Sequence, residues 1–127
     1  MILLDADVLV DCLRGLPSAD QWLRGSSERT FGIPGIVAME LVVGSRDQAD
    51  LRCVQAFIGR FRVIWPEADE FERAFHLLVT HRLEFGVGAP DCIIAAMALE
   101  RDMPLYTFNV KHYQGFTGLE VMKPYVR

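Results

Sequence analysis

The sequence predicts an α/β fold, a three-layer α/β/α sandwich around a short-stranded, mainly parallel sheet. Three observations carry this. Short apolar runs, such as ILL at residues 2–4, lack polar alternation, as strands covered on both faces do. These runs alternate along the chain with segments that are apolar at helical spacing. The 127 residues, 51% hydrophobic and 24% charged, suit a packed core. With no internal repeat, low-complexity tract or linker, residues 1–127 read as a single domain.

The elements follow in order. Residues 2–4 form the first strand, closed by Asp5. Residues 8–13 then form a short helix, with Asp7 as its N-cap and Gly15 beyond its end. Residues 18–24 form a second short helix and residues 30–33 a strand. Pro34 opens the next helix, where its missing N–H is not needed. That helix reads IVAMELVVG, carries Glu40 and stops near Gly44. Residues 47–58 are amphipathic, with Leu51, Val54, Phe57 and Ile58 at helical spacing. Residues 62–64 form a strand closed by Pro66. Residues 67–85 form a long helix with Phe71, Ala74, Phe75 and Leu78 on one face. GVGAP breaks the chain, and Pro90 opens a helix that runs to about Arg101. Residues 105–107 and 119–122 are the last strands.

Composition excludes several classes. A net charge of -4 and a pI near 5.3 are not those of a protein that binds nucleic acid through bulk positive charge. Any such contact needs local basic groups or bridging cations. The three cysteines, Cys12, Cys53 and Cys92, form no CxxC pair. They read as small buried hydrophobes in a reducing cytosol, not a zinc site or disulfide framework. The N-terminus lacks a basic n-region and a cleavage site, and no apolar run is long enough to span a bilayer. A cytoplasmic protein is expected. There is no GxSxG, P-loop or GxGxxG.

Most acids, among them Asp20, Glu28, Glu67, Asp69, Glu70 and Glu100, read as solvated surface charges. Three differ. Asp5 ends the first strand, and in an open α/β sheet the carboxyl ends of strands face the ligand crevice. Asp91 opens the apolar helix APDCIIAAMAL. Asp5 and Asp91 also fit capping of the helices they precede or begin. Glu40 has only Ile36, Val37, Val43 and Gly44 three and four residues away, so no cation on its own helix can pair with it. A buried carboxylate in that position is expected to be protonated, paired or bound to metal. Together the three predict a crevice of carboxylates that takes Mg²⁺ or Mn²⁺ through oxygen ligands. Such a cation serves phosphodiester hydrolysis. His76 and His81, five residues apart, are turned about 140° from each other on a helix and cannot share a ligand. His112 follows the strand LYTF and borders the crevice.

The order LLDADVLVD, AMELVVGS, APDCIIAAMALERDMPLYTFNVKHY and GLEV resembles a PIN domain, and more closely the VapC-type toxins of toxin–antitoxin pairs. The resemblance covers essentially the whole chain. It implies a divalent-metal-dependent endoribonuclease, usually dimeric and inhibited by a cognate antitoxin, leaving a 5′-phosphate and a 3′-hydroxyl. Its acidic positions fall on Asp5, Glu40 and Asp91. The fourth falls in TFNVKHY, where Asn109 supplies a carbonyl oxygen but no charge and His112 stands where another acid is often found. Ala6 and Asp7 replace the threonine–asparagine pair that many members carry. Asp5, Glu40, Asp91 and Asn109 are therefore the expected catalytic residues, the first three as metal ligands. Thr107 is a candidate hydrogen-bond donor to a carboxylate. Arg14, Arg46 and Lys111 are candidate RNA contacts, and each also fits an ordinary solvated charge. Apolar faces on helices 47–58 and 67–85 fit either internal packing or a partner, an antitoxin helix or a second copy. Rival readings are a receiver-like Mg²⁺-binding phosphoacceptor module and a PIN-like DNA nuclease or scaffold.

Overall fold

Among the described residues five strands form one sheet: β1 (Ile2–Leu4), β2 (Phe31–Pro34), β3 (Arg62–Ile64), β4 (Leu105–Tyr106) and β5 (Val121–Met122). Their order is β3-β2-β1-β4-β5, and every pair is parallel. The computed structural model describes residues 1–26 and 30–127; Glu28 lies outside the described residues. Among these, seven helices connect the strands: α1 (Ala6–Leu13), α2 (Pro17–Gly25), α3 (Gly35–Val43), α4 (Gln48–Ile58), α5 (Ala68–Phe85), α6 (Ala89–Arg101) and α7 (Val110–Tyr113). All but α7 are those expected from the sequence.

Bare apolar strands make sense in this arrangement. Leu3, Leu4, Ile33 and Leu105 are fully buried, as helices covering both faces of a parallel sheet require. From β1 the chain steps outward to β2 and β3, then crosses to the other side for β4 and β5. The reversal puts a crevice between the carboxyl ends of β1 and β4. A receiver module has the order 2-1-3-4-5 instead, so the topology excludes that reading. No acid stands at the end of β3, where Trp65 follows. A Cβ on Gly35 would lie 2.2 Å from the Trp65 ring, so only glycine lets the indole lie across the start of α3.

Several local expectations need correction. Asp5, not Asp7, is the N-cap of α1: its backbone is extended and its Oδ1 accepts from the Ala6 N–H at 2.8 Å. Pro34 closes β2 and caps α3 from outside, one residue earlier than expected. Cys92 is buried, but Cys12 is only partly so and Cys53 is exposed.

Glu70 is no surface charge. It is 3% exposed. Arg101 donates to it from Nε at 2.7 Å and from Nη2 at 2.8 Å, and the Glu67 N–H donates at 2.8 Å. The pair pins the start of α5 to the end of α6. Nη2 of Arg101 also donates to the Trp65 carbonyl at 3.2 Å.

The two amphipathic helices differ in what they cover. Val54 and Phe57 of α4 are buried, so α4 turns these apolar residues inward. On α5 only Ala74 of the predicted stripe is buried, whereas Phe71, Phe75, Val79 and Leu83 are exposed. With Ile36 and Met39 of α3, Trp65, Pro66 and Ile93 of α6, Phe71 lines an apolar hollow of about 230 Å³.

Candidate active site

Asp5 sits at the carboxyl end of β1, at the edge where the sheet reverses, and is 9% exposed. Its Oδ2 accepts from Thr107 Oγ1 at 2.8 Å. Thr107 follows β4 and is fully buried. Its hydroxyl is shared with Asp7 Oδ2 at 3.2 Å and accepts from the Asn109 N–H at 3.0 Å. Asp7 Oδ2 also accepts from the Phe108 N–H at 3.0 Å. Asp7, in the first turn of α1, thus ties the loop after β4 to the strand carrying Asp5. Its Oδ1 is buried with no hydrogen-bond partner among the described residues.

Asp91 stands in the first turn of α6. Its Oδ2 accepts from the Gly88 N–H at 3.4 Å, so a capping role is present. Its Oδ1 faces the Tyr113 hydroxyl at 3.4 Å, and that hydroxyl lies 3.3 Å from Asp5 Oδ2. One buried phenol therefore spans the two carboxylates. Burial, then the charges of Asp5 and Asp91, push the Tyr113 ionisation far up, so the group stays a neutral donor.

Glu40 is on the exposed side of α3, not in the core. The helix buries Gly35, Val37, Ala38 and Leu41. Its remaining apolar residues line the open hollow or face out, and this made Glu40 look enclosed. Partial burial, then the charges of Asp5 and Asp91, raise its carboxyl above the ordinary value. Asp5 is raised by burial first and then by Asp7, with Asp91 adding a smaller push. The carboxylates expected from the sequence are thus brought into one electrostatic neighbourhood.

Asn109 is drawn aside. Its Nδ2 lies 2.7 Å from His112 Nδ1, and no hydrogen bond joins its side chain to the acids among the described residues. His112 Nδ1 is also 3.5 Å from Asp91 Oδ2. A nitrogen accepting from Asn109 cannot also donate to Asp91, and the shorter contact favours the tautomer that accepts. Lys111 is exposed on α7 beside them. Arg14 ends α1, nine residues and so about 13 Å along the helix from Asp5. Arg46 is paired 3.6 Å from Asp50 at the start of α4.

Among the described residues, no three His, Cys, Asp or Glu side chains converge as a metal shell. The donor chemistry nonetheless fits a hard divalent cation. It is all carboxylate oxygen, Asp5 and Glu40 are raised by burial and then by neighbouring carboxylates, and Asp7 leaves a buried oxygen without a partner among the described residues. Asp5, Asp91 and Glu40 are the residues that would hold it.

The sequence reading missed Tyr113, although the residue stands in the quoted TFNVKHY. Its signal was a hydroxyl beside His112 in a segment already assigned to the crevice. It also missed a clasp formed by the segment after β5. Tyr125 Oη and Arg127 Nε each lie 2.9 Å from Asp11 Oδ2 on α1.

The pattern of the PIN domain matches residues 2–114. The chain belongs to the PIN-domain family. This PIN domain is 34% identical over 122 residues to Ribonuclease VapC10 of Mycobacterium tuberculosis, covering 94% of the chain and 91% of that protein. It is 30% identical to Ribonuclease VapC19 of the same organism, covering 94% and 98%. These relatives make it a PIN domain of the VapC type. A toxin–antitoxin complex from Klebsiella pneumoniae contains a chain that superposes with a TM-score of 0.80 at 29% identity over the full length of both. VapBC2 of Rickettsia felis bound to promoter DNA shares the fold, with a TM-score of 0.82 at 23% identity over 97% of this chain and 98% of that one. No helix among the described residues is long and apolar enough to cross a membrane.

Proposed function

We propose that this PIN domain is a divalent-metal-dependent endoribonuclease, the toxin of a toxin–antitoxin pair acting in the cytoplasm. The observation that carries the reading is the Tyr113 hydroxyl spanning Asp5 and Asp91 at the carboxyl edge of the sheet, with Glu40 close enough to respond to both. The VapC ribonucleases to which the chain is similar support ribonuclease action, and the toxin–antitoxin complexes that share its fold support an antitoxin partner.

In this reading Asp5, Asp91 and Glu40 would hold Mg²⁺ or Mn²⁺. When bound, the cation supplies a Lewis acid for the phosphodiester and offsets the charge of the cleft. Thr107 and Tyr113 fix the Asp5 carboxylate by hydrogen bonds. Asp7 holds the loop after β4 against it. Asn109 and His112, in contact with each other, stand beside Asp91 and support that side of the cleft. Lys111 is the best placed of the three cations expected from the sequence to meet a phosphate; Arg14 and Arg46 lie on more distant elements. RNA should be cleaved with Mn²⁺ and left intact in EDTA, assayed on a labelled transcript beside single-stranded DNA of the same sequence. Cleavage that survives EDTA would overturn metal dependence, and preference for DNA would overturn the substrate.

The apolar ridge on α5 supports a homodimer. Phe75, Val79 and Leu83, spaced by four residues, are 62, 66 and 99% exposed, a contiguous ridge of the kind that marks an interface. A two-fold axis would pack this ridge on its own copy. Light scattering should give a dimer for the wild type and a monomer for Phe75→Glu. A wild type that is monomeric at every concentration rejects this interface.

A further inference from the structure

The segment after β5 returns along the catalytic edge of the sheet. β5 is parallel to β4, and the Thr107 N–H donates to the Met122 carbonyl at 3.0 Å. Lys123 therefore emerges beside the loop that holds Asp5. Phe108, Lys123, Tyr125, Val126 and Arg127 line an open cavity of about 490 Å³. Its walls are two aromatic rings in edge contact, with centroids 4.9 Å apart, and two cations. The Arg127 guanidinium lies over the Phe108 ring at 4.1 Å while its Nε is tied to Asp11. That stack presents a flat cationic plane whose other donors remain available, and the side chain is about half exposed. Phe108 is joined to the cleft by its own backbone, through the Asp7 contact.

Stacking surfaces beside fixed cations are what single-stranded nucleic acid requires, base on ring or guanidinium and phosphate on Lys or Arg. The chain carries net charge -4, so a local site of this composition answers how it holds a polyanion. We propose that this cavity is a subsite for one nucleotide of single-stranded RNA, next to the position cleaved. Its base lies against the Phe108–Arg127 stack and its phosphate meets Lys123. The subsite rests on the reading of the cleft as a ribonuclease site, and it names where the substrate is held outside the acids.

The test separates binding from chemistry. The probe is a fluorescein-labelled single-stranded oligoribonucleotide, followed by anisotropy in EDTA over a range of salt. Lys123 is exposed, so Lys123→Ala should fold normally. It should weaken binding about three- to tenfold and reduce the magnitude of the log–log salt slope by about 0.7, one phosphate contact on a single strand. Phe108→Leu keeps the backbone bond to Asp7 and should weaken binding about tenfold with little change in slope. Wild-type affinity and slope in both variants overturn the subsite, as does a wild type that does not bind the probe. Variants that keep RNA affinity but shed a co-purified antitoxin make the cavity a protein interface and also overturn it. Mn²⁺-dependent cleavage of the same probe is measured in parallel. Absent cleavage with the expected binding losses overturns the nuclease reading alone, and intact cleavage with unchanged binding overturns the subsite alone.

Discussion

Asp5→Asn should lower Mn²⁺-dependent RNA cleavage by more than about 100-fold, beyond what loss of an outer-shell partner usually costs, and leave the chain at least as stable as the wild type. The two effects have one cause. Asp5 is nearly enclosed and faces Asp7 and Asp91, so burial and like charge raise its ionisation above the ordinary 3.8. A carboxyl raised in the folded state contributes its full stability below 3.8 and loses it as pH rises through the folded value. At pH 7 in EDTA the ionised group therefore works against the fold. Asparagine carries no charge, and its carbonyl can still accept from the Ala6 N–H. Thr107 can turn its hydroxyl to Asp7 Oδ2, 3.2 Å away. Thermal unfolding should favour the variant at pH 7, with the gap closing toward pH 4. Asp91→Asn should lose cleavage to a similar degree. Activity within tenfold of wild type, or a melting temperature well below it at pH 7, would make Asp5 a structural residue.

What was legible in the sequence was mostly local. Parallel strands covered on both faces are bare apolar runs, and ILL stood out as such. An acid ending such a run, as Asp5 does, or standing after Pro90, as Asp91 does, marks the edge of the sheet where ligands bind. What was not legible depends on contacts far apart in the chain. The Tyr113 hydroxyl meets Asp5 across 108 residues and Asp91 across 22. The short helix that aims it has too few residues to show a period. Glu40 was misread for a related reason. Apolar neighbours on a helix signal burial only if the helix is covered all round, and α3 leaves one side to an open hollow. The same misreading in reverse befell Glu70, which lies in the charge-rich stretch ADEFER yet is buried against an arginine 31 residues away.

That arginine carries the largest stability effect expected. Arg101→Met should destabilise the fold by about 3 kcal/mol at pH 7, the usual cost of leaving a buried charge without its partner. In the wild type, burial pushes Glu70 up, but the hydrogen bonds and charge of Arg101, with the Glu67 N–H, more than offset it and hold the carboxyl below 4.5. Its contribution is complete above pH 4.5 and is lost as pH falls through the lowered folded value. Without Arg101, burial is opposed only by the Glu67 N–H, and the folded value moves above 4.5. The sign then reverses, with stability full below 4.5 and lost as pH rises through the raised value. The gap between variant and wild type should thus be widest near neutrality and shrink toward pH 4, in urea unfolding at each pH. Glu70→Gln with Arg101→Met keeps the acceptor for Glu67 and removes the stranded charge, so the double variant should recover much of the loss. The consequence reaches the cleft because α6 carries Asp91 at one end and Arg101 at the other. Where Arg101→Met remains folded, it should cleave RNA at a near wild-type rate, and the loss should appear as a smaller folded fraction. A lower rate in the fully folded variant would mean that the ion pair sets the position of Asp91 as well as the stability of its helix.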